Sequence, residues 1–191
     1  MQKEKLLDIF RETGALLDGH FLLTSGLHSP HYFQCAKVLQ YPQQAELLCK
    51  EIADHFRDAG IATVISPAVG GIVAGQEVAR LLGCRAIFAE RVDGKMALRR
   101  GFSVEAGEKI LAIEDVVTTG GSIKEIISLA QESGCDVCGV GFIVDRSAGK
   151  VSFSVEKFSL LQMDVITFTA AECPLCQQGS TAIKPGSRNI K

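Results

Sequence analysis

"ILAIEDVVTTGGS" (residues 110–122) decides the fold. Four apolar residues begin a buried strand, two acids follow, and a hydroxyl- and glycine-rich run then opens "GSIKEIISLAQESG", whose apolar residues recur at helical spacing. Ser122 stands near the start of that helix and Gly134 at its end. An ordinary buried strand ends in a turn; this one ends in residues that carry chemistry. Exposed N–H groups at a helix start, together with the helix dipole, favour an anion. Gly120 and Gly121 let the backbone come close to one, and Thr118, Thr119 and Ser122 add hydroxyl donors. A phosphate fits, although the G-x-x-x-x-G-K-[ST] pattern of a Walker A loop is absent. Glu114 and Asp115 directly before this cradle suggest a sugar phosphate, with its phosphate in the loop and its hydroxyls on the acids. The plainer alternative is a capped helix after a strand that ends in two solvated acids.

Working outward, the pattern repeats. Residues 43–58 place Leu47, Leu48, Ile52 and Phe56 at helical spacing, and "IATVIS" (61–66) is a β-branched strand. "GGIVAGQEVARLLG" (70–83) reads as a helix; "RAIFAE" (85–90) and "DVCGVGFIVDR" (136–146) read as strands, and "FSLLQMDVITF" (158–168) adds a last apolar stretch. Strands alternating with helices predict an α/β fold, a parallel sheet with helices on both faces. Ligands bind outside the carboxyl ends of such strands. Three of those ends are chemically unusual: "SPAVGG" (66–71), "EDVVTTGGS" (114–122) and "DRSAG" (145–149). Gly70 and Gly71 permit close backbone approach, though "SPAVGG" alone would be an ordinary strand-to-helix turn. Residues 91–108 carry many charges with little periodicity, which predicts a long functional or mobile loop.

The 191 residues suit one domain. A formal net charge of −2 argues against a general polyanion binder, which would be basic. No apolar run is long enough for a membrane span. "MQKEKLLDIFRETGALL" reads as an amphipathic helix without the apolar core of a signal peptide. The seven cysteines, odd in number and scattered, read as reduced thiols of a cytoplasmic protein. Cys173 and Cys176 form a C-x-x-C pair. Plain structural cysteines are the first reading and zinc the second, since four ligands are the rule and no second pair follows; a Cys₄ site shared by two subunits is the only attractive metal option. His20, His28, His31 and His55 show no ligand spacing.

"ILAIEDVVTTGGS" resembles the signature of the type I phosphoribosyltransferases, which bind 5-phosphoribosyl-1-pyrophosphate (PRPP). The resemblance implies a Rossmann-like core with a mostly parallel sheet and a small N-terminal hood. It implies one domain over 1–191, with the hood mainly 1–40, the core about 41–170 and a tail at 171–191. Glu114 and Asp115 would face the ribose, Thr118, Thr119, Gly120, Gly121 and Ser122 would hold the 5-phosphate, and Val116 and Val117 would belong to the same PRPP site. Val69, Gly70 and Gly71 would form the pyrophosphate loop. Arg91, Lys95, Arg99 and Arg100 would be the cations of a mobile loop that reaches a neighbouring subunit, with Arg91 and Lys95, beside Glu114 and Asp115, as the catalytic candidates.

"FLLTSGLHSPHYFQ" (21–34) resembles the hood motif of the orotate-using members, and "VDRSAG" their Asp-Arg pair. Ser25, Gly26, Tyr32, Phe33, Thr118 and Arg146 would then contact orotate, with Tyr32 and Phe33 as an aromatic pair near the ring. The tail "ECPLCQQG" resembles a Thermus-type branch of these enzymes. The implied activity is transfer of phosphoribose from PRPP to orotate in pyrimidine (UMP) biosynthesis, with Mg²⁺ carried by PRPP, in a cytoplasmic homodimer with shared sites and no nucleic-acid or membrane partner. The alternatives are a purine phosphoribosyltransferase and a PRPP-sensing regulator without catalysis. The sequence departs from the common bacterial pattern in having Thr24 and Gly70 where lysines are usual, and in lacking a placeable histidine in the 91–108 segment.

Overall fold

The structure is a computed structural model that describes residues 2–23, 25–164 and 166–185. Thr24, one of the two departures, lies outside the described residues. Among those described, no helix is long and apolar enough to cross a membrane. The chain forms two compact units, residues 1–38 with 164–191, and residues 39–163.

The larger unit is the expected α/β layer structure. Its elements are α3 (Pro42–His55), β3 (Thr63–Pro67), α4 (Gly71–Leu82), β4 (Arg85–Val92), β5 (Lys95–Leu98), β6 (Lys109–Val117), α5 (Gly121–Glu132), β7 (Asp136–Asp145) and β8 (Lys157–Gln162). The sheet order is β5-β4-β3-β6-β7-β8, parallel throughout except for β5. Strand alternation divides the core. Ile65, Ile110, Ala112 and Phe142 pack with Ile123, Ile126 and Ile127 of α5. The opposite face receives α3, where Ile52 and Ile113 close over Gly141 and leave no room for a Cβ. Leu47, grouped with the helical apolar stripe in the sequence, is exposed.

Residues 91–98 correct the expectation of a loop without periodicity. β4 turns at Asp93 (φ 49°) and Gly94 (φ 83°) and returns antiparallel as β5, with Val92 paired to Lys95. An Asp-Gly pair with two positive φ angles is the two-residue hairpin turn that matches strand twist.

The smaller unit holds α1 (Lys3–Glu12), an antiparallel hairpin of β1 (Leu16–Leu22) and β2 (His28–Phe33), and a short α6 (Pro174–Gln177). The single turn α2 (Ala36–Leu39) follows the hairpin. The amphipathic α1 buries Leu6, Ile9 and Phe10. The tail returns to the hairpin earlier than residue 171: the backbones of Phe168 and His28 exchange two hydrogen bonds, and Leu22 N–H donates to Ile183 O at 2.8 Å. The hood is therefore built from both ends of the chain.

Candidate active site

β3 and β6 are neighbours in the sheet, yet the chain leaves β3 toward β4 on one side and returns at β6 on the other. Their carboxyl ends diverge at this switch point, where an open α/β sheet makes its ligand crevice. The two ends are "SPAVGG" and "EDVVTTGGS". The sequence thus places its two most unusual strand ends side by side.

The acids lie beneath the first loop. Glu114 and Asp115 are half-buried at the end of β6. Asp115 Oδ1 accepts the Val116 N–H at 2.8 Å, and Glu114 Oε1 the Asp115 N–H at 3.1 Å. A Cβ on Gly70 would stand 2.8 Å from Asp115 Oδ1, and one on Gly71 would stand 2.9 Å from Glu114 Oε1 and 3.1 Å from Ile113 O. Glycine at both positions lets the loop backbone descend onto the carboxylates. Ala68 N–H anchors the loop to Ala89 O of β4 at 2.8 Å. Burial pushes both acids above the ordinary carboxylate range; Glu114 is raised further by the Asp115 charge and by a hydrogen bond to that carboxylate. The pair retains a proton that a solvated pair would lose, and positive charge or hydroxyl donors nearby favour its ionised form.

The second loop is the phosphate cradle. A pocket of ≈ 170 Å³ is lined by Arg91, Glu114 and residues 116–123. Gly120 (φ 75°) is the N-cap of α5, which has no side-chain cap, so the first-turn N–H groups face the pocket. Thr118 and Thr119 are exposed at its edge.

Of the four cations expected here, only Arg91 lines this pocket. It makes a two-pronged pair with Glu125 of α5 at 2.7 and 3.0 Å and also donates to Gly94 O. Arg100 pairs with Glu90 at 2.8 Å and sits over the Phe88 ring, whereas Lys95 and Arg99 are exposed. Glu125 and Glu90 escaped the sequence reading because nothing in a helix or strand pattern marks which acid will meet an arginine.

The third strand end joins the same rim. Val117 pairs with Asp145 in register, and Arg146 N–H donates to Val117 O at 2.8 Å, so Thr118 and Arg146 stand abreast. Asp145, also unassigned from sequence, is fully buried and accepts from Ser147 N–H at 2.8 Å and Ser147 Oγ at 2.6 Å, holding the turn that carries Arg146.

In the hood, Ser25 and Gly26 form the turn between β1 and β2. The aromatic pair needs correction. Adjacent strand residues point to opposite faces. Phe33 is buried edge-on against Phe10 at 4.7 Å, while Tyr32 lies beside Phe21 and donates its hydroxyl to Gln34 Oε1 at 3.0 Å. Phe33 is a core residue and does not share a face with Tyr32. Cys173 and Cys176 stand against His20 and His28 in one cluster, a grouping that the spacing of neither pair marks in the sequence. His31 and His55 stay apart, paired with Asp18 and Glu156.

Residues 37–173 match the sequence model of the phosphoribosyl transferase domain, and the chain belongs to the phosphoribosyltransferase family. It is 56% identical over 188 residues to the orotate phosphoribosyltransferase of Chlorobium phaeobacteroides, with 98% of this chain and 97% of that one covered. Among solved structures, the orotate phosphoribosyltransferase of Aeropyrum pernix superimposes with a TM-score of 0.70 at 24% identity, over 83% of this chain and 93% of that chain. An adenine phosphoribosyltransferase from Rhodothermus marinus superimposes nearly as well, with a TM-score of 0.66 at 19% identity over 84% of this chain and 100% of that one. The fold is therefore common to members that take different bases, and the base is read from the closer sequence relatives and the local site.

Proposed function

We propose that this chain is an orotate phosphoribosyltransferase: orotate and PRPP give orotidine 5′-monophosphate and pyrophosphate, a step of pyrimidine (UMP) biosynthesis. The seating of Glu114 and Asp115 under Gly70 and Gly71, beside the uncapped start of α5, supports the PRPP half of this reading. The 56% identity over nearly the whole length to an orotate phosphoribosyltransferase supports the base and is the observation that carries it.

In the reaction, a ring nitrogen of orotate gives up its N–H proton to solvent and forms a bond to ribose C1 as the C1–O bond to pyrophosphate breaks, and the electron pair of that bond leaves with the pyrophosphate. Residues 118–122 hold the 5′-phosphate. Glu114 and Asp115 accept the ribose hydroxyls and favour the positive charge that develops on the sugar. The backbone of residues 68–71 and the cations of residues 91–100 receive the pyrophosphate. Arg146, beside Thr118, pairs with the carboxylate of orotate, a planar anion suited to a guanidinium. Most of the rate comes from positioning and fixed charge, with no covalent intermediate. The hard carboxylate oxygens of Glu114 and Asp115 would fit a Mg²⁺ carried by PRPP, which would neutralise charge on the diphosphate.

Lys95 and Arg99 are exposed at the tip and end of the β4–β5 hairpin; the reading includes a homodimer in which they serve the neighbouring site. The odd number and scatter of the seven cysteines support a reducing cytoplasm. The test is Asp115→Asn. It should fold as the parent does and lose at least about 10²-fold in turnover; parental turnover would remove the acid pair from the reaction.

A further inference from the structure

We propose that His20, His28, Cys173 and Cys176 bind a structural zinc ion that fastens the two ends of the chain together. Each offers one ligand atom, and the four atoms lie within 4.8 Å of one another. His20 Nε2 is 2.8 Å from His28 Nδ1 and 3.4 Å from Cys173 Sγ; Cys176 Sγ is 3.7 Å from His20 Nε2 and 3.3 Å from His28 Nδ1. A tetrahedral zinc with Zn–N near 2.0–2.1 Å and Zn–S near 2.3 Å has ligand-to-ligand edges of about 3.3–3.8 Å. These three nitrogen–sulfur edges fall in that range, and the nitrogen–nitrogen edge is shorter by about half an ångström, a gap that an ion between the rings would open.

The local structure is that of a site rather than of chance proximity. The β1–β2 register shifts between Asp18 and Phe21, a bulge across Gly19 and His20 that re-aims the strand. The Pro174 turn of α6 carries Cys173 at its N-cap and Cys176 within it, and Gln177 N–H donates to Cys173 O at 3.1 Å. His20, His28 and Cys173 are buried, and Cys176 is half-buried. His20 Nδ1 lies 3.2 Å from Ser180 Oγ. Ser180 Oγ is placed to accept the Nδ1–H of His20, and in that tautomer the Nε2 lone pair is the one offered to the cluster, an outer hydrogen bond of the kind that orients a metal-bound imidazole.

Charge favours zinc. Two thiols lose their protons to solvent on binding, and two thiolates with two neutral imidazoles make an uncharged complex, which burial does not penalise as it would a lone ion. A tetrahedral S₂N₂ set suits zinc, and four protein ligands leave no open position for catalysis. The gain is structural. His20 and Cys173 are 153 residues apart, so one ion closes a loop that contains the whole larger unit.

The test is metal analysis of the full chain purified from zinc-supplied medium. The expected content is one zinc per chain, with an X-ray absorption edge fitted by two sulfur and two nitrogen neighbours; Cys173→Ser with Cys176→Ser should abolish it, and His31→Ala should not. Co²⁺ exchanged into the parent should give tetrahedral d–d bands and a sulfur charge-transfer band, both lost in His28→Ala. If the double variant does not fold, the parent decides alone. Folded parent protein with substoichiometric zinc after reconstitution, or with a Cys173–Cys176 disulfide, overturns the proposal, as does zinc retained by a folded double variant.

Discussion

Gly70 faces Asp115 so closely that a Cβ at position 70 would stand 2.8 Å from the Asp115 carboxylate. The backbone there is ordinary helical (φ −57°), so the constraint is space alone. With glycine at this position the loop lies directly on the acid. Gly70→Ala should leave the unfolding midpoint nearly unchanged and cost up to about 10²-fold in kcat/KM, because Asp115 must move. Steady-state kinetics beside thermal unfolding checks it; unchanged kinetics would show that Asp115 gives way freely.

Gly120 is constrained twice, by its left-handed φ and by Val151 Cγ2, which would stand 2.7 Å from a Cβ at position 120. Gly120→Ala should destabilise the fold by about 1–3 kcal/mol and weaken PRPP binding. Chemical denaturation and PRPP titration read the two effects; parental values in both would contradict the assigned role of the cradle.

The Arg91–Glu125 pair is solvent-exposed, with side-chain accessibilities of 46% and 36%. Its worth to stability is under about 1 kcal/mol. Glu125→Gln should therefore spare the melting temperature while lowering kcat/KM for PRPP, since Arg91 loses the partner that holds it at the pocket. A fall in stability with parental kinetics would make the pair structural.

Acid burial has a pH signature. Glu114 and Asp115 have raised folded-state values, so the folded chain holds protons that the unfolded chain releases. Their stabilising contribution is complete below the ordinary carboxylate range and is lost as pH rises through the raised values. Between about pH 5 and pH 9 the parent should lose stability relative to Glu114→Gln, measured by denaturant unfolding. Parallel curves would mean that the pair ionises normally.

Sharing of the basic hairpin between subunits makes a complementation prediction. Lys95→Ala and Asp115→Asn, each nearly inactive, should regain part of the activity when subunits exchange. Exchange proven by a tagged subunit without regained activity would confine Lys95 to its own subunit.

The layers and the acid–phosphate segment were legible because they are local. Periodicity marks β3, β6, β7 and the helices, and "EDVVTTGGS" holds acids and cradle in one run. What escaped depends on contacts between distant residues or on face. Asp93-Gly94 is a hairpin signal outweighed by the charges around it. Tyr32 and Phe33 are adjacent in sequence, and the pleat separates them. The cluster of His20, His28, Cys173 and Cys176 has only half a ligand pattern at each end of the chain, and only the return of the tail to the hairpin unites them.

The central claim is the identity of the base, since the fold is shared with members that take adenine. Pyrophosphate release from PRPP and Mg²⁺ should be measured with orotate, adenine, guanine and xanthine in parallel. Release is expected with orotate, with orotidine 5′-monophosphate as product, and is expected to be lost in Arg146→Ala. Release with a purine base and none with orotate would contradict it.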